Sequence, residues 1–372
     1  MSRDSLFGET ILWSGRPSAV SSSPMARLVM ASCSVLALAS LSFATVAATA
    51  LSASVSGLVV FSGWCAAAGL FAYTWPRFWR SGVEYVVTER HVIWRRGPIR
   101  RSIDRDSVSY ALIRWDPRLP GTGDLVLVRA VPTGALRRTL SVTLSGVVAP
   151  DRVWAIVRGL TPSASQGAGD CPLPQRLDEG ERVVWSGTPL LAPWTTRRSV
   201  TGVVALGVAL AASRSVLRVI PLLRRIAHLH ALPAWSFGLI VVAVVLSLVF
   251  AAAVAAGVGY AALVRPRRLL RATRYLITNR RVLIRRGHEE LSLDRDRIAD
   301  VIPAPTRAGA SSLVDLFLVL DGPHARAFSS SGAFREGERE NLHPVLLAIE
   351  DADTVGAILR GVVAPAPLAA AA

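Results

Sequence analysis

The stretch Tyr275–Gly287, YLITNRRVLIRRG, has an earlier counterpart at Tyr85–Gly97, YVVTERHVIWRRG. More than half of the positions are identical, and most others exchange one apolar residue for another. Each copy has the pattern of a β-hairpin. A β-rich run opening Tyr-x-x-Thr leads to a polar corner, Glu89-Arg90 or Asn279-Arg280, and then to a second apolar run closing at Arg-Arg-Gly. Gly97 and Gly287 suit a turn that needs positive φ.

The repeat extends outward in both directions. Glu9–Pro17, ETILWSGRP, matches Glu181–Pro189, ERVVWSGTP. Downstream, Ser102–Asp106 matches Ser292–Asp296, and the strand-like run at Asp124 matches the one at Asp315. The closing helical stretches Asp151–Leu160 and Asp353–Val362 also correspond. The spacing between matched segments widens along the chain, so the second copy carries insertions. A tandem duplication of this reach decides the architecture before any single element does.

At 372 residues the chain has room for two domains of ordinary size. Mean hydropathy is +0.41, with the apolar excess gathered into a few long runs. The formal charge of +16 rests on arginine alone, since the sequence has no lysine, as expected of a GC-rich bacterial coding sequence. Cys33, Cys65 and Cys171 are too few and too scattered for a disulfide framework or a zinc site.

Residues 28–50 and Val55–Trp75 are uncharged runs long enough to span a bilayer core of about 30 Å. They predict a membrane-spanning helical hairpin over 28–76, retained as an anchor rather than cleaved. The second run ends in aromatic and basic residues, and Trp75 and Trp79 read as membrane–water interface anchors. In copy two, Ser199–Ser213 is short for a span on its own, and extended to Ile220 it reaches membrane length but takes in Arg214 and Arg218. Residues 213–233 read as an amphipathic insertion, and Trp235–Val264 as a fourth span, completing a second hairpin over 199–265. Arg265, Arg267 and Arg268 flank it at the interface. Arginines near the spans concentrate on the side holding the strand-rich units, so both termini and both units are expected in the cytoplasm of a bacterial inner membrane. Residues 161–177 read as a Pro/Gly/Ser-rich linker, Asp321–Glu350 as a polar surface excursion with an added helical turn, and 364–372 as a disordered tail.

Few residues carry chemistry. Asp104-Arg-Asp106 and Asp294-Arg-Asp296 have a metal-binding spacing, but without a nucleotide or glycosyl-transfer context they read as solvated strand-edge charges. The six histidines form no ligand set, and no nucleophile motif or Walker loop appears, so neither an enzyme, a metal nor a cofactor is expected. The candidate ligand-binding residues are the hairpin arginines: Arg90, Arg95 and Arg96 in copy one, and Arg280, Arg281, Arg285 and Arg286 in copy two. Beside an anionic leaflet each gains on the order of 1 kcal/mol. The competing reading is a solvated basic face that only reports membrane orientation. Nucleic acid is not expected, because no readout motif accompanies the charge. Trp13 and Trp185, in the Trp-Ser-Gly-x-Pro motifs, read as anchors docking the pre-membrane segment onto the β unit or the membrane interface.

The run Tyr-x-x-Thr-x-Arg-x-Val-x-x-Arg-Arg-Gly, followed by Asp-Arg-Asp and a later Leu-Val-Leu-Val strand, resembles the bacterial pleckstrin-homology-like (PH-like) domain family, in its membrane-attached tandem type. The preceding Glu-x-x-x-Trp-Ser-Gly-x-Pro is similar to that group as well. The resemblance implies an α+β membrane protein with two half-open antiparallel β-barrels, each closed by a C-terminal helix and each following a transmembrane hairpin. The domains would cover 77–160 and 266–363, with 1–27 and 178–198 as repeated pre-membrane segments. It implies a binding scaffold and no catalysis. The expected partners are the bilayer together with a membrane-associated protein or anionic phospholipids. Two alternatives stay open: an anionic-lipid sensor using the hairpin arginines, and a transporter or channel component built from four spans.

Overall fold

The computed structural model describes residues 5–6, 8–18, 24–50, 54–129, 140–162, 167, 169 and 171–190. It continues with scattered positions between 200 and 260, and then with 264–305, 313–320 and 342–361. The third and fourth spans and the amphipathic insertion fall on 191–263, of which only scattered positions are described. Most of the 321–350 excursion and the C-terminal tail lie outside the described residues. Contacts divide the chain into two compact units. One holds the strand-rich parts of both copies, and the other is Ser22–Arg80 with Trp194–Pro266.

In the helical unit, α1 (Pro24–Ala50) and α2 (Ser56–Arg80) are both apolar along their length. Windows Ala26–Thr49 and Ser56–Arg80, with mean hydropathy 1.9 and 1.5, are long enough to cross a membrane. α1 starts earlier than the sequence pattern marks and ends where expected, and α2 runs on past Pro76 through Arg77 to Arg80. Small residues bring the backbones close. A Cβ on Gly69 would lie 2.9 Å from that of Cys33. Ser62 and Ser40 donate to the carbonyls of Ala37 and Leu58 across the pair, each at 2.9 Å. Such small-residue contacts and interhelical hydrogen bonds hold helices together where water supplies no driving force.

In the strand-rich unit, copy one begins with β1 (Ser5–Leu6) and β2 (Glu9–Gly15). It continues after α2 with β3 (Val83–Thr88), β4 (His91–Arg96) and β5 (Ile99–Asp104), and these five strands form one antiparallel sheet in sequence order. Next come β6 (Tyr110–Trp115), β7 (Thr122–Arg129), β8 (Leu140–Val148) and helix α3 (Pro150–Val157). Alternate residues of the strands turn inward. Tyr85, Val87, Val92, Ile103, Ile113, Leu125, Leu127 and Leu144 meet Val153, Trp154 and Val157 of α3 in one core. Copy two repeats the order with β9 (Val183–Gly187), α4 (Arg265–Arg271), β10 (Thr273–Thr278), β11 (Arg281–Arg286), β12 (Glu289–Asp294), β13 (Ile298–Pro305), β14 (Val314–Leu320), β15 (Val345–Ile349) and α5 (Ala352–Leu359). Here β15, at the end of the expected excursion, is the counterpart of β8 and pairs with β14.

The same local devices recur in both copies. Tyr85 Oη donates to the carbonyl and accepts from the amide of Ser145 in β8, and Tyr275 Oη does the same with Leu347 in β15. Asp124 accepts from the amide of Gly146 and Asp315 from that of Ala348, two residues with positive φ, at 65° and 51°. Trp13 and Trp185 lie on the core, each indole folded over the glycine two residues on. A Cβ on Gly15 or Gly187 would fall 2.6 or 2.4 Å from the ring. The Trp-Ser-Gly motif thus places an aromatic side chain in space that only glycine leaves open.

The copies are not separate. β12 of copy two pairs antiparallel with β6 of copy one, with Leu291 opposite Leu112, giving a continuous seven-stranded sheet β8-β7-β6-β12-β11-β10-β9. Leu112, Tyr110 and Val126 of copy one accordingly pack into the core of copy two. The segment expected as a linker docks as well. Leu173 and Leu177 cover Leu276 and Leu283 on the outer face of the copy-two sheet.

Candidate functional site

Glu9 and Glu181 open the Trp-Ser-Gly segments, and each faces the Tyr-x-x-Thr hairpin. The hydroxyl of Thr88 donates to Glu9, and that of Thr278 donates to Glu181. What joins them differs between copies. In copy one His91 Nδ1 lies 3.0 Å from Glu9, and both side chains keep contact with solvent. In copy two the residue in that register is Arg281. Its Nε and Nη2 grip Glu181 in a fork at 2.8 Å each, and Nη2 also lies 3.4 Å from Asp178. The Glu181 side chain has no exposed surface. Burial alone would raise its pKa. The Arg281 guanidinium and the Thr278 hydroxyl outweigh that and hold the carboxyl below the usual glutamate range.

Arg281 is therefore not a ligand arginine waiting at the surface. Two of the other three copy-two candidates are also committed internally. Arg285 donates to the carbonyls of Cys171 at 2.7 Å and Gly169 at 2.9 Å, clamping the inter-copy segment. Arg286 is buried and pairs with Glu289 at 2.8 Å. Arg280 is exposed at the hairpin tip. In copy one Arg90 and Arg95 are exposed and Arg96 is half-buried, while Arg101 of β5 lies over the Trp94 ring at 5.9 Å. The exposed basic hairpin belongs to copy one.

Between the copies lies a buried charge network that sequence reasoning missed. Arg176, almost fully buried, binds Glu290, stands 3.8 Å from Asp151 and stacks 5.5 Å from the Trp115 ring. Arg158 at the end of α3 bridges Asp178 and Asp294, each at 2.8 Å. Trp154 Nε1 donates to Ser292 Oγ at 3.2 Å. Asp151, Trp154, Arg158, Arg176, Glu290 and Ser292 line a small cavity with Ile113, Ala155 and Arg281. Burial pushes the pKa of Asp151 and Asp294 up, against the pull of their arginines. Each cation here already has its anions, so the network works as glue between copies.

The Asp-Arg-Asp motifs are corrected by the structure. Asp104 and Asp294 end strands, but Asp106 and Asp296 sit in a following 3-10 turn, so the two aspartates of a pair do not share a strand face. Nor is Asp294 merely solvated, since it takes Arg158. The middle residue carries the structural role. Arg105 donates to the carbonyls of Val157 and Ile156, and Arg295 to that of Ile358, placing a cation at the C-terminal ends of α3 and α5. The signal for Glu9 and Glu181 was present in sequence, as an acid recurring four residues before each repeated tryptophan.

The expected interface residues fall in two groups. At the end of α2, Trp75 stacks on Phe71 at 4.9 Å and on Trp79 at 5.7 Å, and Arg77 lies over Tyr73 at 4.2 Å. Arg265, Arg267 and Arg268 form the turns of α4. Trp13 and Trp185 lie instead in strands against the cores. No cluster of metal-ligating side chains occurs among the described residues. Comparison with protein-family models, with curated proteins and with solved structures returns no match to this chain.

Proposed function

We propose that this chain is a non-catalytic, membrane-attached binding protein. In this reading each copy is a PH-like half-open barrel following a membrane-spanning hairpin, with both copies and both termini on the cytoplasmic face of a bacterial inner membrane. The copy-one hairpin holds anionic groups at the membrane surface, phospholipid headgroups first among them.

One observation carries this reading. The same hairpin occurs twice, and copy two turns most of its arginines inward onto Glu181, Glu289 and the inter-copy carbonyls. Copy one leaves Arg90 and Arg95 exposed beside Arg101. One copy supplies the scaffold and the other keeps a basic surface. Two apolar helices keep that surface within reach of a bilayer, where an exposed arginine gains on the order of 1 kcal/mol from anionic lipid.

The test uses the full chain in nanodiscs of phosphatidylcholine, with and without phosphatidylglycerol. Amide exchange over residues 88–101 is compared with that of R90Q/R95Q. Slower exchange only with phosphatidylglycerol, reversed by salt and absent in the variant, is the expected result. Equal exchange in both lipids sinks the headgroup reading and leaves an acidic partner protein as the ligand to seek.

A further inference from the structure

The turn that joins β4 to β5 is basic and apolar, whereas its counterpart between β11 and β12 is acidic. Copy one reads Arg95-Arg96-Gly97-Pro98-Ile99-Arg100-Arg101, and copy two reads Arg285-Arg286-Gly287-His288-Glu289-Glu290-Leu291. Both are two-residue turns led by a glycine with positive φ, 52° at Gly97 and 61° at Gly287. In copy two the facing strand answers each arginine with an acid, Arg285 standing opposite Glu290 and Arg286 opposite Glu289. In copy one the same register sets Arg95 opposite Arg100 and Arg96 opposite Ile99. Like charges directly opposite on a strand pair cost stability, so this arrangement calls for anions from outside the hairpin. Glu84 of β3 stands opposite Arg95, and Arg16 also lies 3.6 Å from it.

The copy-two turn is covered as well as neutralised, since the His288 carbonyl accepts from the Trp115 amide of β6 at 2.8 Å. The copy-one turn is open. Gly97, Pro98 and Ile99 are exposed, as are Arg95 and Arg101, and a Cβ on Gly97 would meet nothing within 4 Å. Arg96 and Arg100 make further contacts within the fold and count here only as charge. The outcome is an apolar apex backed by arginines. Pro98 has no amide, so an apolar surrounding has one donor fewer to strip of water there.

Chain connectivity ties this apex to the end of a membrane helix. Val83, the first residue of β3, stands opposite Arg96. Only Ser81 and Gly82 separate it from Arg80, the last residue of α2. Three residues of chain reach at most about 11 Å and a strand pair adds about 5 Å, so Arg96 is held within about 16 Å of that helix end. At the Glu89-Arg90 end of the hairpin the chain allows a further strand length, about 17 Å.

We propose that the β4–β5 turn of copy one enters the bilayer, with Pro98 and Ile99 at the boundary of headgroups and acyl chains and the flanking arginines on anionic headgroups. The proposal rests on the headgroup reading above and adds which end of the hairpin meets the lipid and by what side chains. Ile99 supplies the apolar hold, and the arginines make it depend on anionic lipid. Apolar side chains seated in this way lie about 5–10 Å into the interface.

The experiment uses the full chain in nanodiscs of phosphatidylcholine, with and without phosphatidylglycerol. Cys33, Cys65 and Cys171 are changed to Ser, and a nitroxide is carried on Pro98→Cys. Depth is read as the ratio of collisions with oxygen, which dissolves in lipid, to collisions with a water-soluble nickel chelate. With phosphatidylglycerol the label is expected to favour oxygen, while a label on Glu89→Cys favours nickel. Ile99→Ser is expected to lower the inserted-to-free ratio about tenfold, and Ile99→Leu to keep it. R95Q/R101Q is expected to lower it about thirtyfold with phosphatidylglycerol and little without it. A label at 98 that favours nickel in every disc overturns the proposal. If phosphatidylglycerol still slows exchange over residues 88–101 in that case, the headgroup reading stands without insertion; if it does not, both fall. A lipid-facing label indifferent to Ile99→Ser and to R95Q/R101Q also overturns the proposal, because the tether to α2 alone would then set its depth.

Discussion

Replacing Arg281 by Gln tests whether the hairpin arginines of copy two are structural. Arg281 is 7% exposed in its side chain, Glu181 0% and Asp178 9%. Removing the cation leaves a carboxylate that water cannot reach, held only by the Thr278 hydroxyl and the Asp178 amide. Breaking one partner of a buried pair costs about 3–5 kcal/mol, and those two remaining donors put the expected loss near 3 kcal/mol. Removing both charges in R281Q/E181Q leaves two amides able to bond each other, and about 2 kcal/mol is expected to return as coupling. The assay is denaturant unfolding of the full chain in detergent, followed by tryptophan emission, with midpoints compared at a common slope. In copy one, His91→Gln is expected to move the midpoint little, since His91 is 39% exposed. A loss below about 1 kcal/mol for R281Q, or a double variant no better than the single, refutes the reasoning. A stability loss as large as predicted also means that reduced lipid binding by an Arg281 variant says nothing about headgroup contact.

Gly187→Ala places a methyl 2.4 Å from the Trp185 indole and is expected to cost about 1–3 kcal/mol as the ring leaves its seat, read as a lower thermal midpoint and shifted tryptophan emission. The Glu181 carboxyl is held below its ordinary value, so its contribution is complete above that value, near 4.5, and fades as pH falls through the lower folded-state value. Asp151 and Asp294 are raised, so their protonation comes earlier on acidification and favours the folded state. Unfolding midpoints between pH 7 and 3 are therefore expected to hold or rise slightly before falling, and in E181Q the final fall is expected to be shallower.

Much of the fold was legible because its devices are local. The hairpins, the glycine turns, the closing helices and the first apolar pair each follow from periodicity or from a residue with special backbone freedom. The side-chain roles were less legible. Arg281 and His91 occupy one register, and each meets the glutamate of its own Trp-Ser-Gly segment. In copy two the inter-copy segment adds the Arg176 carbonyl and Asp178 to the pair, contacts about a hundred residues away in the chain that the hairpin sequence does not show. The join between β6 and β12 had no signal at all, because any strand edge offers the same amides and carbonyls. The docking of the linker was hidden for a related reason. Its composition is that of a tether, yet Leu173, Arg176 and Leu177 are enough to fasten it.

That join also bears on how the protein is made. β6 leaves the ribosome roughly 180 residues before the strand that covers it, on the order of ten to thirty seconds at ordinary rates of synthesis. For that interval Leu112 and the donors of Ala111, Ile113 and Trp115 lack the strand that pairs with them in the finished fold. A chain arrested between the copies exposes a strand edge ready to pair with the wrong neighbour. The duplication that stabilises the finished molecule therefore places its most vulnerable moment midway through translation.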